Sequence, residues 1–163
     1  RLSEILAWLD EHKRRPRTQR KRLILTGGIC SMPDIYQALE DAGATVVWDD
    51  LCTGSRYFEG RIDPRGDRLE SIAKRYFDRI ICPAKHRDSF SRGNRLLEMA
   101  KNTGARGVIF VLLKFCDPHA FDYPYMKELL DRAGIPSMLL EIENQQASKE
   151  QLKTRLEAFV EII

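Results

Sequence analysis

The stretch Gly104-Ala105-Arg106-Gly107-Val108-Ile109-Phe110-Val111-Leu112-Leu113 decides the fold. From Val108 to Leu113 every side chain is apolar, with no alternation. A strand with one wet face alternates, so an unbroken run of this length predicts a central strand covered on both sides. Gly104 sits where a preceding helical pattern stops, and glycine supplies the left-handed residue that commonly follows a helix end. The same junction recurs at Gly43, before Thr45-Val46-Val47-Trp48, and at Gly134, before Ser137-Met138-Leu139-Leu140. A further short apolar strand, Leu23-Ile24-Leu25, runs into Thr26-Gly27-Gly28.

Three helix–glycine–strand junctions predict parallel strands joined by crossover helices. The expected fold is α/β, a flavodoxin/Rossmann-like parallel sheet with helices on both faces, in a single domain over residues 1–163. Leu2, Ile5, Leu6 and Leu9 predict a helix over 2–12 that stops at Pro16. Ser31 and Pro33 mark the start of the helix that ends at Gly43. Residues 66–79 read as a helix with Leu69, Ile72, Ala73, Tyr76 and Phe77 inward, and Ile80-Ile81-Cys82-Pro83 reads as a short strand or a loop. Ser148 and Gln151 form a capping box for a last helix, whose stripe is Leu152, Leu156, Phe159, Val160 and Ile163.

Composition narrows the class. The chain has 163 residues, 43% hydrophobic and 31% charged, enough for one domain with a core. No apolar run approaches the roughly 20 residues of a membrane span. The start lacks a secretory pattern, and it is Arg1, so a piece of a longer cytoplasmic protein is expected. Residues 1–22 carry eight basic and three acidic side chains in a chain of net charge +3. No aromatic residue interrupts the basic run over 13–22 for base stacking, so residues 1–20 read as a basic helix and linker, and nucleic acid is not the expected partner. The four cysteines, Cys30, Cys52, Cys82 and Cys116, form no CxxC pair, which argues against a four-cysteine zinc site. Reduced thiols, or isolated ligands of a site completed elsewhere, remain.

In open parallel sheets ligands bind outside the carboxyl ends of the strands. That rule selects residues 27–31, 49–56, 114–119 and 141–145, three of which contain a cysteine. Gly27-Gly28 is too short for a dinucleotide fingerprint and reads as a tight turn. Ser31 lacks a G-x-S-x-G setting and reads as a helix cap. Lys85 and His86 precede a helix that Asp88 or Ser89 could cap, an arrangement that suits a phosphate or a plain surface pair. Cys116 follows the buried strand in a loop that turns at Pro118. A lone cysteine there is a small hydrophobe or a metal ligand, and His119 is its candidate partner or a solvent-facing side chain.

Three longer motifs go further. Asp49-Asp50-Leu51-Cys52-Thr53-Gly54-Ser55-Arg56-Tyr57-Phe58, Cys82-Pro83-Ala84-Lys85-His86, and Gly107 through Asp117-Pro118 to Phe121-Asp122-Tyr123-Pro124 occur in order. With Gly134-Ile135-Pro136 and Glu141-Ile142-Glu143, they resemble the 2-hydroxyacyl-CoA dehydratase and benzoyl-CoA reductase family over essentially the whole chain. The resemblance implies the carboxy-terminal half of a two-domain subunit more than twice this length, paired with a related second subunit. It implies a 4Fe–4S cluster held by three cysteines with one open iron. An ATP-dependent iron–sulfur activator would supply one electron to the CoA thioester, and the resulting ketyl radical would lose water from (R)-2-hydroxyacyl-CoA. Cys116 matches a cluster ligand; the other two would lie in the amino-terminal half. Cys52 is the next candidate, as ligand or as a structural neighbour, and Cys30 and Cys82 are structural. Arg56, Lys85 and His86 are possible CoA contacts. A benzoyl-CoA reductase, a double-cubane-cluster reductase and a non-catalytic assembly module share this resemblance.

Overall fold

The computed structural model describes residues 1–12, 20–28, 35–78, 82–85, 89–142 and 149–163. Its strands are β1 (Lys21–Gly27), β2 (Ala44–Asp50), β3 (Gly107–Leu113) and β4 (Ser137–Ile142). They pair in the order β2-β1-β3-β4, all parallel. The helices are α1 (Leu2–His12), α2 (Ile35–Asp41), α3 (Ser55–Phe58), α4 (Arg68–Asp78), α5 (Ser89–Thr103), α6 (Asp117–Arg132) and α7 (Lys149–Ile162). A single 3-10 turn, Pro83–Lys85, precedes α5.

The unbroken apolar run of β3 serves two cores, because successive strand side chains face opposite ways. Ile109 and Val111 join Leu23, Leu25, Leu140 and Ile142 beneath α2 and α7, which contribute Ile35, Leu39, Leu152, Leu156 and Phe159. Val108, Phe110 and Leu112 join Ile24 beneath α5 and α6, which contribute Leu96, Ala100, Met126 and Leu130. Each fully buried leucine or isoleucine stabilises the fold by about 1.5–3 kcal/mol relative to exposure. The three glycines at the helix ends adopt the expected left-handed backbone, with φ of 85° at Gly43, 63° at Gly104 and 68° at Gly134. At the end of α5, the Arg22 Nε–H donates to the Thr103 carbonyl at 2.8 Å, satisfying an end group that the helix leaves open. Arg20 pairs with Glu40 at 3.6 Å, and the Lys21 ammonium donates to the Ile163 carbonyl, so this end of the basic run is tied into the fold.

Several expectations need correction. Helix α4 forms, but none of its residues is buried, and Leu69 and Phe77 are 78% and 73% exposed. Periodicity identifies an apolar face without identifying what buries it, and in this chain that face stays largely exposed. Replacing Leu69 with serine in this chain is therefore expected to change stability by no more than about 0.5 kcal/mol in urea unfolding. A loss above about 2 kcal/mol would mean that the face is packed. The chain does not loop at Pro118 either. Helix α6 already starts at Asp117, with Pro118 in its first turn, where the missing N–H is not needed. Gly27-Gly28 is not a simple tight turn, because Gly27 is the last residue of β1 and remains paired with Val111. Cys30, Ser31, Pro33, Ile80, Ile81 and Ser148 lie outside the described residues. No described helix is long and apolar enough to cross a membrane.

Candidate functional site

The carboxyl ends of β1, β2 and β3 converge on a buried charge network. Asp50 ends β2 at 5% exposure. Its Oδ2 accepts a hydrogen bond from the Thr26 hydroxyl at 3.0 Å and one from Arg92 Nη2 at 3.3 Å. Its Oδ1 lies 2.9 Å from Arg56 Nε. Arg92 reaches on through Nη1 to Asp122 Oδ2 at 2.8 Å. Arg56 Nη2 also donates to the carbonyls of Gly27 and Asp50. Two guanidiniums and two carboxylates thus balance, which is how buried charge is tolerated. The balance in hydrogen bonds is incomplete, since Arg56 Nη1 and Arg92 Nε find no partner among the described residues.

The neighbouring Asp49 shapes the loop that carries Cys52. Its Oδ1 accepts the backbone N–H of Leu51 at 3.2 Å and of Ser55 at 2.8 Å, and the Ser55 hydroxyl donates to the Asp49 carbonyl. A Cβ on Gly54 would fall 1.8 Å from that Asp49 oxygen, so only glycine lets the carboxylate fold over the loop. Cys52 is half-buried. Burial pushes its thiol above the ordinary range, Arg56 pulls it back in part, and Cys82 and Asp50 raise it further.

Cys116 is the N-cap of α6 and half-buried. Its N–H donates to the Leu113 carbonyl at 3.1 Å, and its carbonyl accepts the N–H groups of His119 and Ala120 at 3.1 and 3.0 Å. The preceding Phe115 has a φ of 66° and a 90% exposed ring. A left-handed phenylalanine costs roughly 1–2 kcal/mol. This backbone turns the chain from β3 into α6.

His119 does not face solvent. It is buried against Gly28, and its pKa is lowered to about 3 by burial first and then by Arg92 and Arg56. The imidazole is therefore neutral near pH 7, one nitrogen a donor and the other an acceptor.

Arg56 departs from its expected place at a CoA phosphate. Its guanidinium is buried on Asp50 and on backbone carbonyls, and it holds the 50–56 loop instead. Lys85 has its backbone in the 3-10 turn; its side chain and all of His86 lie outside the described residues. Among the described residues no three His, Cys, Asp or Glu side chains gather where they could hold a metal. Cys116 fits as one corner of a cluster site: a half-buried thiol at the positive end of a long helix, an electrostatic setting that suits a thiolate ligand. The described part of the chain does not complete such a site.

Arg92 lies outside the motifs, and Asp122 lies within one that gives it no role, although the sequence carries a signal for both. Arg92 shares a helical stripe with the buried Leu96 and Ala100, and Asp122 shares one with Met126 and Leu130. A charged residue on a core stripe must find a buried counter-charge.

Fold and site together define a class: an α/β domain whose strand ends present thiols over a neutralised charge network. A family model described as 2-hydroxyglutaryl-CoA dehydratase, D-component, matches residues 1–163, and the chain belongs to this family. It is 35% identical over 143 residues to the (R)-phenyllactyl-CoA dehydratase beta subunit of Clostridium sporogenes, covering 88% of this chain and 38% of that protein. It is 30% identical over 144 residues to the beta subunit of lactoyl-CoA dehydratase from Anaerotignum propionicum, with the same shares. A benzoyl-CoA reductase subunit of Thauera aromatica is 23% identical over 146 residues, covering 87% of this chain and 38% of that protein. The chain thus spans well under half the length of these curated relatives.

Proposed function

We propose that this chain is the carboxy-terminal domain of a two-domain subunit of a cytoplasmic 2-hydroxyacyl-CoA dehydratase, and that Cys116 is one of three thiolate ligands to a 4Fe–4S cluster. The observation that carries the reading is Cys116 itself. It is the N-cap of α6, just past a central strand buried from Gly107 to Leu112, within a chain that the family model covers from end to end. When bound, such a cluster supplies an open iron with Lewis-acid character and single-electron transfer. The chain's own residues have other tasks. His119, three residues after Cys116 and set against Gly28, offers an uncharged hydrogen-bonding nitrogen, able to orient a carbonyl or hydroxyl without adding charge. Asp49 and Arg56 hold the Cys52 loop in shape, and Cys52 is the alternative ligand. Lys85 and His86 are proposed contacts for CoA phosphates.

The partners in this reading are a related second subunit, an ATP-dependent iron–sulfur activator and a CoA thioester. Elimination of water is preferred over ring reduction because the dehydratase relatives are more similar to this chain, at 35% and 30% identity against 23% for the benzoyl-CoA reductase relative.

Anaerobic iron and sulfide analysis with electron paramagnetic resonance, on the complete subunit and its Cys116→Ser variant, tests the proposal. The variant is expected to lose most of its iron or to show an altered signal, with activity reduced at least about a hundredfold. A subunit that holds no cluster after reconstitution would instead be an assembly module. Unchanged iron and signal in Cys116→Ser would remove Cys116 from the ligand set.

A further inference from the structure

We infer that Arg92 is a positioning residue, a clasp that sets the loop of Cys52 against the helix capped by Cys116. The inference rests on the function proposed above and adds to it a residue that acts through Asp50 and Asp122 rather than through either cysteine.

The geometry is specific. In the sheet β2 and β3 are not neighbours, because β1 runs between them. Pairing alone therefore links the end of β2 to the end of β3 only through a third strand. Arg92, on α5, spans that gap directly: Nη2 meets Asp50, two residues before Cys52, and Nη1 meets Asp122, six residues after Cys116. A planar guanidinium fixes the angle between its two partners as well as their distances. The next residue, Gly93, leaves room for the end of the Leu129 side chain, whose Cδ1 would lie 2.4 Å from a Cβ there, where α5 packs on α6.

Stability does not call for the arrangement. An apolar set of similar volume is often as stable as a buried charge network, and this network leaves a buried Arg92 Nε–H without a partner among the described residues. What a charged clasp adds over an apolar contact is a defined geometry, and here it lies between two thiol-bearing segments.

Arg92→Lys and Asp122→Asn each remove one arm's geometry while keeping a polar group, and Arg92→Met removes the clasp outright. In the complete subunit, Arg92→Lys and Asp122→Asn are expected to keep normal iron content and a KM for the acyl-CoA within about twofold. Their kcat is expected to fall about ten- to a hundredfold, with a shifted cluster resonance. The double variant is expected to be no worse than either single one, since both break the same link. In the metal-free chain, alkylation read by mass spectrometry is expected to speed up several-fold at Cys52 and Cys116, while amide hydrogen exchange in β4, at the far edge of the sheet from β2, stays as in the unmodified chain. General loosening would speed both alike. Normal kcat, resonance and thiol rates in both Arg92→Lys and Asp122→Asn would overturn the clasp, as would thiol acceleration matched by equal acceleration of exchange in β4. An unmodified subunit without iron would overturn the proposed function, and the thiol rates would still decide the clasp.

Discussion

Replacing Asp50 with alanine is expected to cost the fold about 3–5 kcal/mol, a large part of the roughly 5–15 kcal/mol that holds a domain of this size. The carboxylate is buried, faces Arg56 at 2.9 Å and Arg92 at 3.3 Å, and accepts from Thr26 at 3.0 Å. Among the described residues, its removal leaves Arg56 with backbone carbonyls alone and Arg92 with Asp122 alone. A buried guanidinium that loses its counter-charge is far more costly than an intact pair is stabilising. Asp50→Asn keeps an acceptor for Thr26 but not the charge, so it should fall between alanine and the unmodified chain. Urea unfolding of the three proteins measures this. A loss below about 1 kcal/mol for Asp50→Ala would mean that water reaches the network and screens it.

Gly27→Ala is expected to be as severe or worse, about 4 kcal/mol or more, for a reason unrelated to charge. Gly27 has a φ of 148°, and a Cβ there would lie 1.9 Å from the Val111 carbonyl oxygen and 2.7 Å from its carbon. Both atoms belong to the backbone of the central strand, so no side-chain rotation relieves the overlap. The β1–β3 pairing must open at its last rung, directly beneath the Arg56 contact to the Gly27 carbonyl. Gly28→Ala provides the contrast. Its Cβ would find His119 Cδ2 at 3.8 Å, an ordinary contact, and the change is expected to cost less than about 1 kcal/mol. Equal unfolding midpoints for the two alanine variants would contradict this close approach.

The two effects meet at one place, and that has a bearing on function. The glycine that lets β1 touch β3 and the carboxylate that gathers two arginines lie at the carboxyl ends of β1 and β2, beside the loop that carries Cys52. The chain's fold and its proposed chemistry therefore share residues, so variants of Arg56, Arg92 and Asp122 need a stability measurement beside every activity measurement.

The amino-acid sequence by itself determined the parallel sheet, and the physical reason is local. Unbroken apolar runs demand cover on both faces, and glycines at 43, 104 and 134 end helices wherever they stand. The sequence also determined that the strand ends carry the polar loops, and its longer motifs singled out Cys116. Only the tertiary structure decided which charges meet. Arg56 reads as a loop cation yet turns inward, His119 is kept neutral first by burial, and Arg92 joins Asp50 to Asp122 although the three lie far apart in sequence. The apolar face of α4 gives the reverse case, since helical spacing predicts a buried stripe and Leu69 and Phe77 remain exposed. Periodicity records what a segment can bury, while burial itself, and the pairing of buried charges, depends on which other segments arrive to cover it.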